Sequence, residues 1–145
     1  MTHYVVRAGR IVEAPLDTVW DMIADARSYS SWAVMGSSTL EREGSPTPDG
    51  VGAIRNFGTG TIMSREEVVA FDPPTHLGYR LLSGLPIENY RADVTLTSLG
   101  DRRTRVMWVG TYESKGFVGA VMRRFLTFVL GDFVRRLAKH APKRG

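Results

Sequence analysis

The chain has 145 residues, of which 43% are hydrophobic and 23% charged. That is the profile of an ordinary globular protein, long enough to bury a core and short enough for residues 1–145 to form one domain. It contains no cysteine, which excludes a disulfide framework, a thiolate zinc site and a cysteine nucleophile. The net charge of +4 is unevenly placed: from Phe117 onward there are seven basic residues against one acid, Asp132, which leaves −2 for the first 116 residues.

The first apolar stretch is interrupted by Arg7, Arg10 and Glu13 and lacks the continuous apolar core of a signal peptide. The longest apolar region, Phe117 to Val134, is broken by Arg123, Arg124 and Asp132, whereas a membrane span needs about 20 mostly apolar residues. A cytoplasmic location is therefore expected.

Tyr4 to Val12 alternates and is rich in valine and isoleucine, which predicts a strand. Pro15 and Asp17 suit the first turn of a helix carrying Leu16, Val19, Trp20 and Ile23, and a second short helix is expected near Ala26 to Trp32. Strands are then predicted over Ser37–Glu43, Ala53–Phe57, Thr61–Phe71, His76–Ser83, Asn89–Ser98 and Thr104–Ser114. Turn signals separate them: the Gly44–Gly50 loop, Gly58-Thr59-Gly60, Asp72-Pro73-Pro74, Gly84-Leu85-Pro86 and Gly100-Asp101. The short intervals make consecutive strands antiparallel neighbours. From Phe117 to about Ala141, Val118, Met122, Phe125, Val129 and Phe133 recur every three or four residues, with Arg123, Arg124, Thr127 and Arg135 on the other side. This predicts a long amphipathic helix.

One strand, two short helices, six antiparallel strands and a long helix make an α+β architecture with a physical consequence. A twisted sheet of seven strands curls round the helix, and where it bends away an internal pocket remains.

The stretch Ile11-Val12-Glu13-Ala14-Pro15-Leu16-Asp17-Thr18-Val19-Trp20, followed by Ile23-Ala24-Asp25, Tyr29 and Trp32, resembles the opening of small START-related (SRPBCC) proteins labelled polyketide cyclase/dehydrase-like. Further matches are Val51-Gly52-Ala53-Ile54-Arg55, Arg65-Glu66-Glu67-Val68, Phe71-Asp72-Pro73-Pro74, Leu77-Gly78-Tyr79-Arg80, Ser83-Gly84-Leu85-Pro86, Tyr90-Arg91-Ala92-Asp93-Val94 and Thr104-Arg105-Val106-Met107-Trp108. The resemblance covers nearly the whole chain in the right order and implies the helix-grip fold. The superfamily includes lipid carriers, hormone-binding proteins, aromatase/cyclases and co-chaperone domains, so it does not select a function. No catalytic motif is matched residue by residue.

Strand alternation supplies candidate cavity residues. Val106, Trp108, Gly110 and Tyr112 share one face of the last strand, Tyr90, Ala92, Val94 and Leu96 one face of the strand before it, and Leu77, Tyr79 and Leu81 one face of the strand before that. Trp108, Tyr90, Tyr112 and Tyr79 are the candidate ligand contacts, with Val118, Met122, Phe125 and Val129 as the helical wall. A hairpin turn centred on Thr59-Gly60 puts Arg55 opposite Ser64 and diagonal to Glu66, all facing the cavity. A buried Arg55–Glu66 pair would orient a carbonyl, carboxylate or hydroxyl, each charge compensating the other; a register one residue different puts both in solvent.

His3, His76 and His140 lie far apart without metal-ligand spacing, so neither a metal nor a cofactor is expected. The glycine pairs do not form a phosphate loop opening a helix. The preferred reading is a binding or carrier protein for a small hydrophobic or aromatic metabolite, or a lipid. The alternative is an aromatase/cyclase- or dehydratase-type enzyme acting on a polyketide-like substrate, with Arg55, Glu66, Tyr90 and Tyr112 as available acid/base groups. A third is an interaction module using the basic C-terminal helix on an acidic partner or membrane surface. No nucleic-acid partner is expected.

Overall fold

A computed structural model describes residues 1–144. The chain runs β1 (Thr2–Val12), α1 (Leu16–Ala24), a 3-10 turn (Ala26–Ser28), α2 (Tyr29–Trp32), β2 (Ser37–Arg42), β3 (Ile54–Thr59), β4 (Ile62–Asp72), β5 (His76–Ser83), β6 (Glu88–Gly100), β7 (Arg103–Ser114) and α3 (Gly116–Arg144). All seven strands form one antiparallel sheet in the order β1-β7-β6-β5-β4-β3-β2. Strands β2 to β7 thus run as a meander, and β1 returns alongside β7. This is the helix-grip arrangement of an α+β protein.

Side-chain alternation decides which face is covered. Along β7, Thr104, Val106, Trp108, Gly110, Tyr112 and Ser114 are buried while Arg103, Arg105, Met107 and Thr111 are exposed. Along β6, Tyr90, Ala92, Val94 and Leu96 are buried and Arg91, Thr95 and Thr97 are exposed. The buried face receives α3, which packs on β1, β7, α1 and α2. Two polar ties set its position. The Tyr112 hydroxyl donates to the Gly119 carbonyl at 2.7 Å, holding the first turns of α3 to β7. The Thr104 hydroxyl donates to the Ala14 carbonyl at 2.9 Å, holding the entry to α1 against the same strand.

The second short helix is interrupted. The Asp25 carboxylate accepts from the Arg27 backbone N–H, and the Ser28 hydroxyl donates back to the Asp25 and Met22 carbonyls. These local bonds compete with regular helical ones, so residues 26–28 form a 3-10 turn and only Tyr29–Trp32 are α-helical.

The buried stripe of α3 also differs from the expected one. It comprises Met122, Leu126, Leu130, Phe133, Val134, Leu137 and Ala141. Phe125 is 41% exposed, and Val118 and Val129 are only partly buried. The first four turns of the helix are apolar on more than one side, so spacing alone admits more than one core face. Packing on the sheet, with Gly119 tied to Tyr112, rotates the buried face towards Leu126 and Leu130. In urea denaturation, Leu130→Ala should therefore cost about 2–5 kcal/mol. Phe125→Ala should cost well under that range; equal losses would mean that the helix packs on the other stripe.

Candidate ligand cavity

The sequence places a tight turn between β3 and β4, and Gly60, with φ of 63°, supplies the left-handed residue it needs. The turn is Gly60-Thr61, and Thr59 pairs with Ile62. The centre thus lies one residue later than expected, which moves each pairing by two. Arg55 stands opposite Glu66, and Ser64 stands opposite Phe57. A two-residue shift preserves the face of every side chain, so Arg55 and Glu66 still point inward.

Arg55 is only 1% exposed. Its Nη2 donates to Glu66 Oε1 at 3.1 Å, and its Nη1 donates to the Ile23 carbonyl at 3.4 Å. Its Nε has no hydrogen-bond partner among the described residues. The faces of Tyr29, Phe57 and Tyr79 lie 5.3, 5.1 and 5.0 Å from the guanidinium carbon. Ring quadrupoles at that distance attract a cation, so three aromatics compensate the charge where hydrogen bonds do not. The Glu66 side chain is 12% exposed. Burial raises its pKa above the ordinary carboxylate value, against the pull of Arg55.

Two more aromatics, Trp108 and Tyr90, continue this layer through Tyr79. Trp108 Nε1 donates to the Tyr79 hydroxyl at 3.0 Å, and the Tyr79 ring packs against the Tyr90 ring. The Tyr79–Tyr90 and Tyr79–Trp108 rings meet edge to face. Gly110 of β7 makes room for this cluster, because a Cβ there would lie 2.7 Å from the Tyr90 ring. Burial pushes the Tyr29 phenol up to about 12 and raises Tyr79 and Tyr90 as well. All three phenols are therefore neutral at physiological pH.

In front of Glu66 and Tyr90 lies a cavity of about 280 Å³. Of the ten residues expected at the site, Glu66, Tyr79, Tyr90, Phe125 and Val129 line it. Arg55 sits one layer behind Glu66. Trp108 is fully buried against Phe133, and Met122 belongs to the helix core. Tyr112 is stacked on Tyr4 and tied to Gly119. Val118 borders a separate shallow groove with Leu85 and Ile87. Ser64, expected on the cavity face, lines it too, and most of the remaining wall was not anticipated. Leu126 and Leu130 come from the rotated face of α3, where their i, i+4 spacing was the available signal, while Phe133 belongs to both the expected and the observed stripe. Phe57 and Ser64 share strand parity with Arg55 and Glu66. Val34 and Met35 come from the loop after α2, which no periodicity marks. Val34, Ile62, Phe125 and Phe128 are each more than 40% exposed and form the mouth. Among the described residues no three His, Asp or Glu side chains gather as a metal site would require.

The family described as "Polyketide cyclase / dehydrase and lipid transport" matches residues 3–142. The chain belongs to that family. A search of curated proteins found no match. Among solved structures, this family member is similar to a Thermobifida fusca protein at 25% identity, with a TM-score of 0.78 over 96% of this chain and 93% of the other. It is also similar to a START superfamily protein from Mycobacterium smegmatis, at 14% identity and a TM-score of 0.82 over 99% and 100% of the two chains. A third likeness is to the Zhui aromatase/cyclase of a Streptomyces species, at 18% identity and a TM-score of 0.72 over 99% and 96%. At these identities the last two likenesses establish the fold alone.

Replacing Arg55 with Met should destabilise the protein by about 3–5 kcal/mol, because Glu66 is left buried and unpaired. The double variant Arg55→Met/Glu66→Leu should recover much of that loss in the same denaturation experiment. A pH titration of stability should show the Glu66 shift. A carboxyl whose pKa is higher in the folded than in the unfolded chain binds more protons when folded. Unfolding free energy should thus fall as pH rises from about 4.3, the usual glutamate value, through the folded pKa. Glu66→Gln should flatten that slope.

Proposed function

We propose that this protein binds and carries a small hydrophobic or aromatic molecule in the cavity between sheet and α3, with one polar group of the ligand directed at Glu66 and Tyr90. The observation that carries the reading is the one-sided chemistry of the cavity. Its walls are mostly Leu, Ile, Val, Met and Phe, while the polar residues Thr59, Ser64, Glu66, Tyr79 and Tyr90 all come from the adjacent strands β3 to β6. Such a wall orients a ligand that the apolar surfaces bind without preference.

Size narrows the ligand class. An apolar cavity of about 150 Å³ holds one benzene, so 280 Å³ suits a two-ring aromatic or an alkyl chain of similar volume. A longer chain would leave through the mouth between Ile62 and Phe128. Tyr90 lies on the cavity wall, where its phenol can donate to a ligand oxygen. Glu66 accepts from a ligand hydroxyl when ionised and donates to a carbonyl when protonated.

A second reading, an aromatase/cyclase- or dehydratase-type enzyme, is favoured by one specific observation. Glu66 combines burial, a raised pKa and a place on the cavity wall, which is how a carboxyl is prepared for general acid catalysis. In that case it would protonate a departing hydroxyl or an enolising carbonyl of a polyketide-like substrate, with Arg55 holding its orientation.

Native mass spectrometry of the purified protein should reveal a co-purifying small molecule, or one-to-one binding of added naphthol. Val129→Trp, which fills the cavity from the helix side, should abolish that binding without unfolding the protein. Tyr90→Phe should weaken naphthol roughly two- to tenfold, the worth of one hydrogen bond, and leave naphthalene unchanged. Naphthol binding that survives Val129→Trp would place the ligand elsewhere. The enzymatic reading requires turnover of a polyketone that Glu66→Gln removes while binding persists.

A further inference from the structure

The solvent face of α3 carries two unlike halves in line. Phe117, Val121, Phe125 and Phe128 are 79%, 56%, 41% and 66% exposed. Their spacing of i, i+4, i+8 and i+11 sets them on one stripe. The stripe is continuous with the cavity mouth, where Val34 and Ile62 are 43% and 51% exposed and Phe125 and Phe128 belong to both. An apolar helix stripe running into an apolar rim is more than scattered surface hydrophobics, which need no explanation.

The second half of the same face is cationic. Arg135, Lys139 and Lys143 each follow Phe117, Val121 and Phe125 by eighteen residues, which is five full turns. They therefore extend the stripe, and all three are exposed. Arg135 shares the Asp132 carboxylate with Arg136, whereas Lys139 and Lys143 lie towards the basic end. Burial and the neighbouring Lys139, Lys143, Arg136 and Arg144 hold His140 below its ordinary pKa, as expected in a local positive field. Arg124, also exposed, flanks the apolar half.

We propose that this face of α3 docks on an anionic membrane surface, with Phe117, Val121 and Phe128 entering the acyl boundary and Lys139 and Lys143 resting on the lipid headgroups. Charge complementarity selects this occupant. An exposed apolar stripe followed by exposed lysines offers the two attractions that hold a helix at an anionic interface, buried apolar area and headgroup charge. The remaining 116 residues carry −2, so the electric asymmetry of the molecule turns α3 towards a negative surface. A second copy of the chain would cover the apolar half but would leave the lysines unmatched. Docked this way, the cavity mouth faces the bilayer and an apolar ligand passes between them without crossing water. Only that last consequence rests on the carrier reading; the docking itself does not.

Vesicle flotation of the full chain tests the proposal. Vesicles of phosphatidylcholine mixed with phosphatidylglycerol should carry the protein, and phosphatidylcholine vesicles should carry far less. High salt should release it. Phe117→Ser/Val121→Ser alters exposed positions outside the cavity wall and should lower partitioning about tenfold at unchanged melting temperature. Lys139→Glu/Lys143→Glu should remove the preference for anionic vesicles. No flotation with anionic vesicles, or flotation indifferent to both variants, overturns the proposal. So does a wild-type dimer in light scattering that Phe117→Ser/Val121→Ser converts to monomer, because the stripe would then belong to a second copy. Val129→Trp should still float, which separates failure of docking from failure of the cavity reading.

Discussion

A guanidinium buried almost completely inside a small protein constrains everything packed around it. Arg55 has to be matched from several directions at once, because desolvating a cation costs several kcal/mol unless its surroundings compensate. Glu66 supplies one hydrogen bond from β4, and the Ile23 carbonyl supplies another from the end of α1. Tyr29 of α2, Phe57 of β3 and Tyr79 of β5 close round the rest. One side chain thereby ties together both short helices and three neighbouring strands. Among the described residues Nε has no hydrogen-bond partner, and the three ring faces add to the compensation of the charge.

The cavity follows from the same arrangement. Glu66 is paired with Arg55 behind it and borders the space under α3. Tyr90, given room by the gap at Gly110, borders the same cavity. On the opposite side, α3 buries Leu126, Leu130 and Phe133 yet leaves Phe125 and Phe128 at the rim. A helix apolar on two sides satisfies a core and a mouth together. Family membership and fold are compatible with carriage and with catalysis alike, since function resides in the side chains of the site and not in the fold.

The sheet was legible because strand alternation is a local property. Tyr90, Ala92, Val94 and Leu96, and Val106, Trp108 and Tyr112, fall inward as their spacing requires. The Arg55–Glu66 pairing was legible by parity, although the turn lay one residue away from its expected place. Harder to read were the contacts that depend on how elements meet. Val34 and Met35 reach the cavity from a loop, and Trp108 and Tyr112 face inward but are taken up by Tyr79, Phe133 and Gly119 before any ligand could reach them.

Sequence by itself determined the order of elements, the inward face of each strand, the length of α3 and the concentration of positive charge near its end. Those properties are written in periodicities of two and about 3.6 residues and in composition, and they need no knowledge of neighbours. Tertiary structure alone decided which stripe of α3 is core and which inward residues border empty space. It also decided that Arg55 stands behind the cavity wall and not on it. The rotation of a helix about its own axis is set by the sheet it meets, and a void exists only where opposing surfaces fail to touch.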